Sequence, residues 1–256
     1  MTAALDPAPG LFGKLPMRGD FISRRLPGRF VEAWDDWLRR GIARSRDVLA
    51  EDWLPLYLGG PLWRFALQPD LLGDSVAGVL MPSVDAVNRH FPLTVAAVAP
   101  PALGPFVLAA EADPWFAAAE ALALSCLDPD ATLSSLEQSL DALGPLQARV
   151  EAEEWPEPLD TPPTGARLRW RLARDLPEGV LASCPRILDV VASTTYGPFS
   201  LWWTGGSDDV EPVLLIFSGL PSPEAFAALL HDGRHAREGV AADRTAAPQT
   251  HSRARP

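Results

Sequence analysis

From Phe91 to Ala110 the chain carries no charged side chain. A run of that length either crosses a membrane as one helix or is buried in shorter pieces. Its prolines decide between the two. Pro92, Pro100, Pro101 and Pro105 each remove a backbone donor and disturb helical geometry. The run therefore reads as a buried strand, a proline-rich turn and a second strand. A doubly buried strand needs neighbours in a sheet and cover on both faces, so the rest of the chain must supply them.

The rest does supply them. "GLFGKLP" is an apolar strand entered at Gly10, and "MRGD" is the loop after it. "LWRFALQ" alternates Trp63, Phe65 and Leu67 on one face, the period of a strand. "VAGVLMP" reads as a strand buried on both faces. "FSLWWT" and "PVLLIFSG" read as two strands around the turn "GGSDDVE", and "ARLRWRLA" alternates in the same way. Helical signals lie between. Phe30, Trp34, Trp37, Leu38 and Ile42 form one apolar stripe after Pro27, with acidic residues early and arginines late. A shorter helix covers Glu51 to Leu58. Asp113-Pro114 opens a helical pair broken near Asp128-Pro129. "SVDAVNRH" reads as one or two helical turns capped by Ser83. Cys184 to Ala192 reads as a short helix, and "SPEAFAALLHD" as a last helix capped by Ser222. The pattern predicts an α/β fold, a mixed sheet in a three-layer α/β/α sandwich. Residues 1–9 are expected to be flexible, 10–236 to form one α/β domain, and 237–256 to be a disordered tail. The acidic, proline-rich segment Glu151 to Gly165 is expected to be an exposed loop.

Charge and cysteines narrow the function. The net charge of -11 opposes general binding to nucleic acid or anionic membrane. Two distant cysteines, Cys126 and Cys184, give neither a disulfide framework nor a zinc site, and fit a reducing compartment. The N-terminus has no basic and apolar signal pattern. A cytoplasmic protein with no membrane insertion is expected.

"GLFGKLPMRGDF" invites two familiar readings and fits neither. A phosphate-binding loop needs a glycine where Ala8 stands and a hydroxyl where Leu15 stands. The Arg-Gly-Asp triplet reads as a strand-to-helix turn, with Asp20 bonding nearby N–H groups and Phe21 entering the core. Ser83, Asp85 and His90 hint at a hydrolase, but no glycines flank Ser83 as a nucleophile elbow requires. Asp85 and Arg89, spaced i, i+4, read as an ion pair on a helical turn. The four histidines give no metal-ligand spacing. No cofactor or metal is expected. An enzyme reading, a hydrolase or nucleotide-binding enzyme using Asp20, Asp85 and His90, stays open as the alternative.

"GLFGKLPMRGDFISRRLP", "WDDWL", "PLWRFAL", "GVLMPSVDAVNRHFPLTVAA" and "SLWWT", in this order, resemble the TagF (ImpM) family of type VI secretion accessory proteins. The resemblance is densest from Gly10 to Ala99 and resumes from Phe199 to Leu230. It implies a non-enzymatic cytoplasmic post-translational regulator that represses assembly or firing of the apparatus. It also implies binding to a forkhead-associated scaffold protein, in or beside the threonine-phosphorylation pathway with its kinase and PppA-type phosphatase. The polar residues inside these apolar motifs are Lys14, Arg18, Asp20, Arg64, Asp85 and Arg89. They are the expected partner-binding set. Trp202 and Trp203 point to opposite sheet faces, so one is expected in the core and the other as a candidate anchor. A structural subunit of the apparatus is a third reading.

Overall fold

The computed structural model describes residues 8–100, 103–147, 157–158, 170–171 and 178–232. In chain order the elements are β1 (Gly10–Gly13), β2 (Ile22–Arg24), α1 (Gly28–Leu49), α2 (Trp53–Leu58) and β3 (Trp63–Leu67). Next come α3 (Pro69–Leu72), β4 (Val76–Met81), β5 (Leu93–Val98), α4 (Pro105–Glu111), α5 (Asp113–Ser125) and α6 (Leu133–Leu143). Last among the described residues come β6 (Glu157–Pro158), β7 (Trp170–Arg171), α7 (Glu178–Tyr196), β8 (Phe199–Thr204), β9 (Val213–Ser218) and α8 (Pro223–Phe226). Short 3-10 turns follow α1 and α8.

Seven strands form one sheet in the order β2-β1-β5-β4-β3-β8-β9. The fold is α/β, but the sheet is not mixed: every ladder in it is antiparallel. Short links between β1 and β2, β3 and β4, β4 and β5, and β8 and β9 explain four of these six ladders, because a parallel neighbour needs a longer crossover.

The alternation within strands divides the core in two. Trp63, Phe65 and Leu67 of β3 pack with Phe30, Trp34 and Trp37 of α1, Tyr57 of α2 and Phe226 of α8. Ala66 of β3, with Ala77, Val79 and Met81 of β4, packs on the other side. There they meet Val107 of α4, Phe116 and Leu122 of α5, and Leu136 of α6. Both sheet faces are thus covered, which is why β4 is buried along its whole length.

Trp34 sits at the centre of the first core. Its ring lies 5.2 Å from Phe30, 4.6 Å from Trp37, 4.7 Å from Phe65 and 6.0 Å from Trp202. A buried indole needs an acceptor for its N–H. Trp34 donates to Thr94 Oγ1 (2.9 Å), Trp37 to the Pro221 carbonyl (2.7 Å) and Trp63 to the Leu229 carbonyl (2.8 Å). The polar side of α1 is laced by the i, i+4 pairs Asp35–Arg39 and Asp36–Arg40.

Four further expectations, all of secondary structure, change. The segment after the prolines is helix α4, not a second strand; its apolar run is long enough for either, and Pro105 occupies the favoured first helical position. "SVDAVNRH" is a turn between β4 and β5, not a helix. Val84 bridges His90, and Asn88 takes a left-handed φ of 60° that an α-helix cannot hold. Helix α7 extends well beyond Cys184 to Ala192, with Pro185 inside it. The last helix is a single turn, α8, capped by Ser222 and continued by a 3-10 turn. The alternating "ARLRWRLA" contains β7, which pairs with β6. The expectations for residues 1–7, the rest of 151–165 and 237–256 lie outside the described residues.

Candidate functional site

The β1–β2 loop and the β4–β5 turn meet at one carboxylate. Lys14 follows β1 directly and is only 5% exposed. A lysine so buried needs a counter-charge, since an unpaired ammonium in an apolar core is prohibitively costly. Asp85 supplies it through a direct Lys14–Asp85 ion pair. Asp85 Oδ2 also accepts from Arg89 Nε (2.7 Å), while Oδ1 accepts the backbone N–H groups of Arg89 (2.8 Å) and Val87 (3.0 Å). Burial alone would raise the pKa of this carboxyl. The Lys14 hydrogen bond, the Arg89 and Val87 amides and the Arg89 guanidinium outweigh burial and hold it well below the usual carboxylate range.

Four further bonds close the corner. Arg89 donates through Nη2 to the Gly19 carbonyl, and the Ala86 amide donates to the Arg18 carbonyl (3.0 Å). Ser83 Oγ donates to the Lys14 carbonyl (2.8 Å), and Tyr57 OH donates to the Ser83 carbonyl (2.9 Å). Phe21 leans over the Lys14 ammonium, 5.0 Å from ring centre to Nζ, and packs edge-on against Phe91 at 4.8 Å. It does not enter the core, for it remains 45% exposed.

The expected set thus splits. Lys14, Asp85 and Arg89 come together as the pin. Arg18 and Asp20 stand exposed beside it, and neither side chain makes a hydrogen bond or ion pair among the described residues. Arg64 is elsewhere: on β3 it makes a two-pronged pair with Glu120 of α5 (2.7 and 2.8 Å) and bonds Asp113 (2.7 Å). Trp202 is fully buried against α1. Trp203, on the opposite face, is half-buried with its ring 4.9 Å from Phe116. The residues that sequence reasoning missed are Phe21 as an exposed ring and Val87, 62% exposed at the tip of the turn. A helical reading of 83–90 hid Val87; a turn reading would have put it at the tip.

Ser83, Asp85 and His90 do not form a relay. Ser83 Oγ and both Asp85 oxygens are engaged as above. The His90 ring packs edge-on to Trp53 (5.5 Å) and Tyr57 (5.6 Å). Its partial burial, with help from the nearby Arg46 charge and against the pull of Asp85, lowers its pKa. Among the described residues, no group of three or more His, Cys, Asp or Glu is placed to hold a metal ion. No helix among them is long and apolar enough to cross a membrane.

What remains at the surface is a ridge of Arg18, Asp20, Phe21, Val87 and Arg89, fixed from below by a buried ion pair. Arginine and an exposed ring beside an apolar tip are the residue types that protein interfaces favour. The model of the TagF N-terminal domain, type VI secretion system-associated, matches residues 10–143, which span the whole ridge. The crystal structure of PA0076 from Pseudomonas aeruginosa PAO1 is similar, with 38% sequence identity and a TM-score of 0.73. The match covers 88% of this chain and 94% of that one. No curated protein matches. The chain belongs to the TagF family of type VI secretion system-associated proteins.

Proposed function

We propose that this protein is a non-enzymatic, cytoplasmic, post-translational repressor of type VI secretion assembly or firing. It acts by binding a forkhead-associated scaffold protein through the ridge at Arg18, Asp20, Phe21, Val87 and Arg89. Family membership supports the link to secretion. The observation that carries the binding mode is the pin. Lys14, Asp85 and Arg89 spend their charges on holding two loops together, and beside them Arg18, Asp20 and Val87 stand exposed. A rigid, preorganised surface loses little entropy on docking. The same geometry disfavours Asp85 as a general base, since both its oxygens are engaged and its proton affinity is low.

The test is a pull-down from the native cytoplasm with parent and with Arg18→Ala/Val87→Asp. Both positions are exposed, so the variant should melt like the parent. The expected result is recovery of the scaffold by the parent alone, and raised secretion in cells carrying the variant. Equal recovery by a folded variant would move the interface off the ridge.

A further inference from the structure

The two ends of the sheet differ. At one end β2 is three residues long, and Arg24 and Arg25 reach Glu137 and Asp141 of α6. This is how natural edges are protected: short, charged and covered. At the other end β9 is six residues, VLLIFS, with no charge and no proline. Among the described residues, no strand pairs with its outer side.

The register shows which groups β9 leaves open. The Gly219 amide donates to the Pro198 carbonyl (2.8 Å), so the antiparallel ladder turns Phe217, Leu215 and Val213 toward β8. The backbone N–H and C=O groups of Leu214 and Ile216 therefore face outward. Their side chains are also open, at 50% and 37% exposure. Helix α7 stands on the same face, its Ala192 packed with Leu201 of β8, and exposes Leu188 and Val191.

We propose that β9 pairs with β9 of a second copy of this chain, antiparallel, about a twofold axis normal to the sheet. Such an axis keeps each face on its own side, so only residues of equal parity can oppose one another. An axis through Leu215 sets Leu214 against Ile216 of the second copy, and Ile216 against Leu214, with their outward amides and carbonyls exchanging hydrogen bonds. An axis through Ile216 would set Leu214 against Ser218, a poorer apolar match. The local charge pattern permits a second copy in this orientation. The acidic turn with Asp208, Asp209 and Glu211 precedes β9, and in the antiparallel pair it lies beside the uncharged Gly219 to Pro221 of the other chain. Like charges meet at neither end. The two copies each carry -11, so added salt tightens the dimer. The Arg18–Arg89 ridge belongs to the opposite end of the sheet, and one dimer thus presents two ridges at its far ends.

Sedimentation from low to several hundred micromolar tests this, with parent, Ile216→Lys and, as a control exposed elsewhere, Leu54→Lys. The expected result is a mass that doubles with concentration for the parent and Leu54→Lys. Ile216→Lys should weaken the dimer by about tenfold or more, through a like charge set into the pairing face. Hydrogen exchange on the parent gives a reading that needs no variant: the Leu214 and Ile216 amides become protected as concentration rises, while those of Val213 and Leu215 stay protected throughout. A parent that is monomeric at every concentration overturns the proposal, whether the edge is free or covered by this chain's own residues. So does a dimer that Ile216→Lys leaves intact.

Discussion

Lys14 and Asp85 are 71 positions apart in sequence and form an ion pair in which both side chains are almost wholly buried. Removing one partner strands the other charge in the core, whereas removing both strands neither. Lys14→Met and Asp85→Asn should each lower the melting temperature clearly. The double variant should lose less than the sum of the two. A thermal double-mutant cycle measures this, and strictly additive losses would contradict the pin.

Asp85 and Asp189 should give stability profiles of opposite slope. The Asp85 pKa is depressed in the fold, so its stabilisation is present above the unfolded value of about 4 and is lost as pH falls below that. Asp189 sits on α7 and accepts the N–H groups of Phe106 (2.8 Å) and Val107 (3.3 Å) at the start of α4. Burial pushes its carboxyl up to about 6, against those two hydrogen bonds and Arg186. Its contribution is therefore full below about pH 4 and is lost as pH rises through 6. Asp189→Asn keeps an acceptor oxygen and should flatten the profile between about pH 4 and 6. Asp85→Asn should leave that window unchanged and flatten the profile below it. Denaturant melts across the pH range distinguish the two.

The strands were legible because burial on both faces leaves continuous or alternating apolar runs, as in "VAGVLMP" and "LWRFALQ". Strand β2 was not, since only Ile22 of its three residues is buried. Residues 83–90 misled for a local reason. Ser83 and the i, i+4 spacing of Asp85 and Arg89 imitate a capped helix, but the Asp85 carboxylate satisfies the Val87 and Arg89 amides itself and frees the backbone to turn at Asn88. The pin depends on a partner far along the chain, which no local pattern reports. The one signal for it was a lysine inside the apolar "GLFGKLP". Arg64 carried the same signal but answers to α5, because it stands on the sheet face that α5 covers.

Arg64 offers a control for the binding site. Its pair with Glu120 is two-pronged and partly shielded, with side-chain exposures of 17% and 29%. Arg64→Ala should cost about 1 kcal/mol, in the upper part of the range for exposed pairs. Arg64→Lys should recover only part of that, lacking the fork. Neither should reduce scaffold capture, unlike Arg18→Ala/Val87→Asp. Loss of capture by a stable Arg64 variant would extend the interface to the α5 side.

Gly41 lies in the middle of α1, where alanine would ordinarily stabilise the helix by up to about 1 kcal/mol. Here a Cβ would come within 2.4 Å of the Phe226 ring, so α8 would have to move. Overpacking of this kind costs about 1–3 kcal/mol and outweighs the propensity gain. The ring has little freedom to yield, since it also packs at 5.4 Å against Trp37, whose indole bonds the Pro221 carbonyl just before α8. Gly41→Ala should therefore destabilise by roughly 1–2 kcal/mol, about 2–8 °C in melting temperature for a chain of this size. Adding Phe226→Leu makes room for the methyl, so the double variant should lose less than the two single losses combined. A Gly41→Ala variant that melts higher than the parent would mean that α8 is held to α1 less tightly than the Trp37–Phe226 contact implies.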